Sequence, residues 1–71
     1  MDYIEYTMTY LHHTELAVLV EHPDDPNDPD GLWIPLSNIE NGRDIDFDDY
    51  ERGSHIELNI AEWWAINEGL E

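Results

Sequence analysis

The chain has no lysine and no cysteine, and its only cations are Arg43 and Arg52. The missing cysteine excludes a disulfide staple and a thiolate metal site. The missing lysine excludes Schiff-base chemistry, and neither a cysteine nucleophile nor a Gly-rich phosphate loop is present. Two cations against 18 carboxylates disfavour direct binding to nucleic acid or to an anionic lipid surface, because both carry the chain's own sign. No apolar run approaches the roughly 18 residues of a membrane span. The start, MDYIEYTMTY, lacks the basic residues and apolar stretch of a signal peptide, which points to a cytoplasmic protein.

What is present is negative charge. The formal charge is −16 on 71 residues, and self-repulsion of that size opposes folding at ordinary salt. Leu, Ile, Val and Phe nevertheless make up about 24 % of the chain, above the roughly 20 % below which acidic chains stay disordered. Three Trp and four Tyr add core material. The expectation is one folded domain, residues 1–71, with a single acidic, Pro-rich loop at 22–31. Self-repulsion favours a monomer.

Hydrophobic periodicity places the elements. In residues 2–11, Ile4, Tyr6, Met8 and Tyr10 alternate with Tyr3, Glu5, Thr7 and Thr9, the period of a strand. His12-His13-Thr14 reads as a turn. The apolar run at 15–21 (ELAVLVE) reads as a central strand. Three prolines make HPDDPNDPDG at 22–31 a loop. LWIPL at 32–36 reads as a short strand that Pro35 ends or confines to an edge. Ser37 and Glu40 have capping-box spacing for one helical turn that Gly42 stops.

Arg43 to Tyr50 alternates again, with Asp44, Asp46 and Asp48 on one side and Ile45 and Phe47 on the other. SHIEL at 54–58 reads as the last strand. Asn59 and Glu62 then cap a C-terminal helix in which Ile60, Trp63, Trp64 and Asn67 fall at i, i+3, i+4 and i+7, three of the four apolar, and which ends at Gly69 with Leu70 folding back. The fold class is therefore α+β, a small antiparallel sheet of four or five short strands with one C-terminal helix.

The acidic runs are the candidate interface. Carboxylates at i, i+2 and i+4 of a strand step by about 6.7 Å, while duplex phosphates rise about 3.4 Å apiece along a winding strand. Asp44, Asp46 and Asp48 can thus follow a run of phosphates, with Asp49 and Glu51 beside them and Asp24, Asp25, Asp28 and Asp30 extending the run. The competing reading is a surface that only solubilises, and a halophilic composition would look similar. Against the latter stand the three Ala and two Val beside seven Ile and five Asn.

No EF-hand register fits either acidic run, since position 12 falls on Ser37 or His55 rather than Glu. His12 and His13 are adjacent and would diverge on a strand, so no zinc site is expected. No catalytic residue, metal or cofactor is assigned, and the chain is expected not to be an enzyme. Of Trp63 and Trp64 one must point partly outward, because neighbours on a helix diverge by about 100°. Trp33 is a candidate partner anchor, as Trp is favoured there.

Residues 33–40 (WIPLSNIE), 56–65 (IELNIAEWWA) and 68–70 (EGL), with the AVLV strand at 17–20, together resemble a small domain found in many phage and prophage proteins. In that family a strand ends in a Trp-Ile-Pro-x-Ser-x-Ile-like motif, and an acidic, Trp-bearing helix ends in Gly-Leu. In size, charge and lack of cysteine the chain is also similar to the small acidic phage inhibitors that mimic DNA. These include anti-CRISPR proteins, anti-restriction proteins and the uracil-DNA glycosylase inhibitor.

The resemblance implies an anti-CRISPR protein in the cytoplasm of a host bacterium. It would block target-DNA binding by a CRISPR effector subunit, a basic nucleic-acid-binding protein. The alternatives are inhibition of a restriction or DNA-repair enzyme by the same mimicry, or an assembly or docking module that uses no mimicry.

Overall fold

A computed structural model describes residues 2–23, 25, 27 and 30–70 of the chain. Its frame is one antiparallel sheet of four strands in the order β3-β2-β1-β4. The strands are β1 (Tyr3–His13), β2 (Ala17–Val20), β3 (Leu32–Pro35) and β4 (His55–Ala61), and helix α1 (Glu62–Asn67) follows β4 directly. The α+β class holds, with four strands.

β1 serves both halves of the sheet. Its first part, Tyr3 to Thr9, pairs with β4 from Ala61 back to His55. Its last part, from Tyr10, pairs with β2. Between them β1 advances two residues, Tyr10 to His12, while β2 advances one, Val20 to Leu19. Leu11 is the extra residue of a β-bulge, which bends a strand and increases its twist. His12 and His13 therefore belong to the strand and not to the expected turn. The turn comes at 14–16, where the Thr14 hydroxyl accepts the Ala17 N–H at 3.2 Å.

The core lies on one side of the curled sheet. Val18, Ile34, Leu58 and Ile60 are fully buried, and Met8, Tyr10, Ile39, Phe47, Trp64 and Ala65 join them. Each large aliphatic side chain removed from water contributes about 1.5–3 kcal/mol. Among the described residues no polar or charged one is buried, so every described carboxylate keeps contact with water. Pro35 ends β3 at the sheet edge, as its missing N–H requires. The far edge, on β4, is covered by the chain itself: Ile39 bridges to Ile60, and the Glu40 N–H donates to the Asn59 carbonyl at 2.8 Å.

Three further segments differ from the sequence expectation, the last two because backbone pairing with distant residues outcompetes a local signal. Residues 43–50 form no strand. Gly42–Asp44 and Phe47–Asp49 are two 3₁₀ turns, and the alternation survives only as burial, with Phe47 buried, Ile45 half-buried and the aspartates exposed. The turn after β3 is a 3₁₀ turn, Leu36–Asn38, that begins at Pro35 with no side-chain cap. Ser37 and Glu40 form no capping box there, because the Glu40 N–H is already taken by Asn59.

The third difference is at the C-terminus. β4 runs on to Ala61 because β1 offers partners as far as Tyr3. Asn59 and Ile60 are therefore strand residues, and α1 starts at Glu62 without a side-chain cap. Its first N–H donates instead to the Asp2 carbonyl at 2.9 Å. The end of α1 is as expected. Gly69 adopts φ +79°, its N–H reaches the Ile66 carbonyl, and the Leu70 N–H reaches the Ala65 carbonyl at 2.9 Å. That bond pattern is the Schellman motif. Trp64 points inward, and Trp63 outward at 49 % exposure.

Gly42 is the tightest close approach among the turns. A Cβ there would lie 2.5 Å from the Leu36 carbonyl oxygen, a backbone atom that cannot step aside. Gly42→Ala is expected to cost about 1–3 kcal/mol of stability, read from the urea midpoint. An unchanged midpoint would mean that the turn at 42–44 is looser than described.

Candidate functional site

The acidic segments are built outward from β1. The Glu21 N–H donates to the Thr9 carbonyl at 3.0 Å, which ties the entry of the 22–31 loop to one edge of β1. On the other edge, Tyr10 exchanges hydrogen bonds with Gly53 and Ser54, each at 2.7 Å, which ties down the exit of the 44–51 segment. Two neighbouring residues of one strand, Thr9 and Tyr10, thus anchor both acidic runs.

The 44–51 run is held more firmly than its ties at the exit alone would allow. Phe47 stacks on Tyr10 with ring planes 7° apart, and Tyr50 packs against both rings. The turn is also hydrogen-bonded from within: Asp46 Oδ1 accepts the Asp48 N–H at 3.1 Å. Asp48, with its side chain 84 % exposed, places Oδ1 3.1 Å from Nε2 of His13. His13 Nδ1 in turn lies 2.6 Å from the Tyr10 hydroxyl.

An ionised carboxylate only accepts, so Nε2–H donates to Asp48, and where that is the ring's single proton Nδ1 accepts the Tyr10 O–H. The three groups form a chain from a buried phenol through a half-buried imidazole to an exposed carboxylate. Burial, and secondarily the negative charge of Asp48, pushes the Tyr10 phenol above the usual tyrosine range.

Sequence reasoning missed this chain for a definite reason. Residues i and i+3 of a regular strand face opposite sides. Only the bulge at Leu11 brings Tyr10 and His13 to the same side, and the residue types on their own carry no signal for it.

The remaining candidates fall in three groups. Asp44, Asp49 and Glu51 are exposed on the same segment as Asp46 and Asp48. Asp25 and Asp30 are exposed on the other loop, where Asp25 Oδ1 accepts the Asn27 N–H at 3.3 Å. Asp24 and Asp28 lie outside the described residues. Trp33 sits apart from both loops on β3, 45 % exposed, with its ring edge-on to His12 at 6.4 Å. Arg52 turns to backbone, donating to the Leu11 carbonyl at 3.4 Å.

Other kinds of site are small or absent among the described residues. Clefts lined by Thr7, Thr9, Glu21 and His22, and by Ser37, Asn41, Gly42 and Arg43, hold about 170 Å³ and 210 Å³, below the roughly 300 Å³ at which small-molecule pockets begin. No three of His, Asp and Glu come together to hold a metal ion among the described residues. None of the described helices is long and apolar enough to cross a membrane. No family model matches the chain, and neither a curated protein nor a solved structure is similar to it.

The raised Tyr10 phenol has a pH consequence. The folded state holds this proton more tightly than the unfolded chain does. The associated stability is therefore intact below about pH 10 and is lost as pH rises through and beyond that value. With no lysine present, tyrosines are the side chains that titrate in this window. Tyr10→Phe is expected to lower stability at pH 8 by about 1 kcal/mol through the lost hydrogen bond to His13. The gap to the parent should narrow by pH 11. Urea denaturation at the two pH values checks this, and parallel losses in both proteins would contradict it.

Proposed function

We propose that the chain is an acidic decoy that occupies the DNA-binding surface of a basic protein, with a CRISPR effector complex as the target class. The observation that carries the reading is the anchoring of both acidic runs at Thr9 and Tyr10. In the second run, Phe47, Tyr50 and the Tyr10–His13–Asp48 chain then fix the carboxylates in place. A merely solubilising surface needs charge but no fixed geometry. A mimic needs its carboxylates ordered before contact, since ordering them on binding would cost affinity.

The mechanism is steric and electrostatic. Asp44, Asp46, Asp48, Asp49 and Glu51, with Asp24, Asp25, Asp28 and Asp30 of the first loop, pair with the Lys and Arg that grip DNA phosphates. The second run presents its carboxylates from two 3₁₀ turns and not as the strand-spaced row of the sequence expectation. Association should be fast and should weaken with salt.

A second reading, a docking module without mimicry, is favoured by a specific observation. Trp63 and Ile66 share a helix face at i, i+3 and are 49 % and 54 % exposed. Contact through that face would be largely indifferent to salt.

The test is competition for labelled target duplex. The purified chain is added to a panel of CRISPR effectors, a restriction enzyme and uracil-DNA glycosylase at about 50 and 300 mM salt, a range over which charge pairing is strongly screened. Displacement of DNA that fades at the higher salt is expected for a CRISPR effector. Displacement from the restriction or repair enzyme alone would move the target to that class.

The triple substitution Asp44→Asn, Asp46→Asn, Asp48→Asn keeps each side-chain oxygen that accepts from Asp48 N–H and His13, so the fold should persist. It is expected to lose at least about tenfold in competition, as removal of paired interfacial charge does. No displacement anywhere, or a fully active triple variant, would overturn the decoy reading.

A further inference from the structure

The sheet has an outer face that the acidic surface does not use, and its two halves differ. Over β1 and β4 it is polar: Glu5 opposes Asn59, Thr7 opposes Glu57 and Thr9 opposes His55. Over β1, β2 and β3 it is apolar. The register aligns His12 with Leu19 and Leu19 with Trp33, one row across three strands. This row lies opposite the buried side chains of Val18, Val20, Leu32 and Ile34.

The bulge residue Leu11 joins it. A Cβ on Gly31 would lie 2.9 Å from Leu19 Cδ1 and 3.5 Å from Leu11 Cδ1, so the two leucines converge over the glycine. β2 is thus apolar on both faces although only one face meets the core. Trp33 stands at the row's end, 45 % exposed.

We infer that this outer row of Leu11, Leu19 and Trp33 is a second contact surface, seated on an apolar spot with a cationic rim on the protein partner. The inference takes the nature of the partner from the decoy reading. Charge complementarity selects the occupant. Glu15, Glu21 and Asp30 flank the strands that carry the row, residues 1–42 hold no Lys or Arg, and Arg52, which reaches the row at Leu11, is engaged with the Leu11 carbonyl.

A second copy would bring the same carboxylates and another −16 charges to the contact. A basic partner brings the opposite sign, and an arginine among its rim residues can stack on the Trp33 indole. Strand addition at the β3 edge is disfavoured, since that edge is four residues long and ends in Pro35. The contact is therefore made by side chains of the face.

Two labelled peptides of equal length and charge test this, one alternating Lys and Leu, the other Lys and Ser. Each is titrated into the intact chain at about 300 mM salt, where charge pairing is largely screened, with fluorescence anisotropy of the peptide as readout. The Lys–Leu peptide is expected to bind at least about tenfold tighter, the scale of an aromatic anchor. Trp33→Ala should remove that preference, and Trp33→Phe should retain most of it. The Asp44, Asp46 and Asp48 triple Asn variant should weaken both peptides alike.

Circular dichroism checks that Trp33→Ala is folded; if it is not, Leu11→Ser, on the same face, replaces it. Equal affinities, or a preference that survives both substitutions, would overturn the inference. So would sedimentation showing a dimer that Trp33→Ala abolishes, because the occupant would then be a second copy. The decoy reading can fail separately: absent DNA displacement with an intact Lys–Leu preference would remove it and leave this surface standing.

Discussion

One extra residue in β1 organises the molecule. A regular 11-residue strand would present even positions to one side and odd positions to the other along its whole length. Such a strand would keep Tyr10 on the core side and turn His13 away from it. The bulge at Leu11 resets the phase, so Tyr10 and His13 share the core side while Leu11 and His12 are left to the outer face. Three consequences follow from that reset. The strand bends and passes from one partner, β4, to the other, β2. His13 comes within reach of both Tyr10 and Asp48. An apolar residue is placed beside Leu19 on the solvent side.

The second constraint is charge. Sixteen excess negative charges sit on a body of 29 × 28 × 17 Å, about two to three Debye lengths across at about 0.1 M salt. No carboxylate escapes the field of the others. The fold answers by keeping every described acid in contact with water and by building the core wholly from apolar and aromatic groups. Where the chain must turn within an acidic run, it uses the acids themselves. Asp46 caps the backbone of Asp48, and Asp25 caps that of Asn27.

How much was legible in the sequence followed from the range of the interaction involved. The alternation of Ile4, Tyr6, Met8 and Tyr10, the apolar run of β2, the stop at Pro35 and the Gly69–Leu70 helix end are all local, and the structure keeps them. Asn59 and Ser37 carried genuine capping signals. They lost because β1 and the β4 edge offered backbone partners at the same positions, from residues far away in sequence. The acidic candidates were visible as charge, and those described are exposed. Their presentation was not visible. It depends on a ring stack from Phe47 to Tyr10 and on a bulge that no residue type announces.

The 44–51 segment shows why alternation alone misled. A period of two is produced by any extended chain that buries every other side chain, whether or not a neighbouring strand is there to pair with it. Here Ile45 and Phe47 dip into the core as they would from a strand, but the backbone between them is satisfied by its own turns. That difference bears on function. A ladder would space carboxylates evenly along a line. Short turns break that line, and the segment is placed by Phe47, Tyr50 and His13 and not by a partner strand. The placement of the acidic segment then rests on the aromatic residues beneath it as well as on the acids themselves.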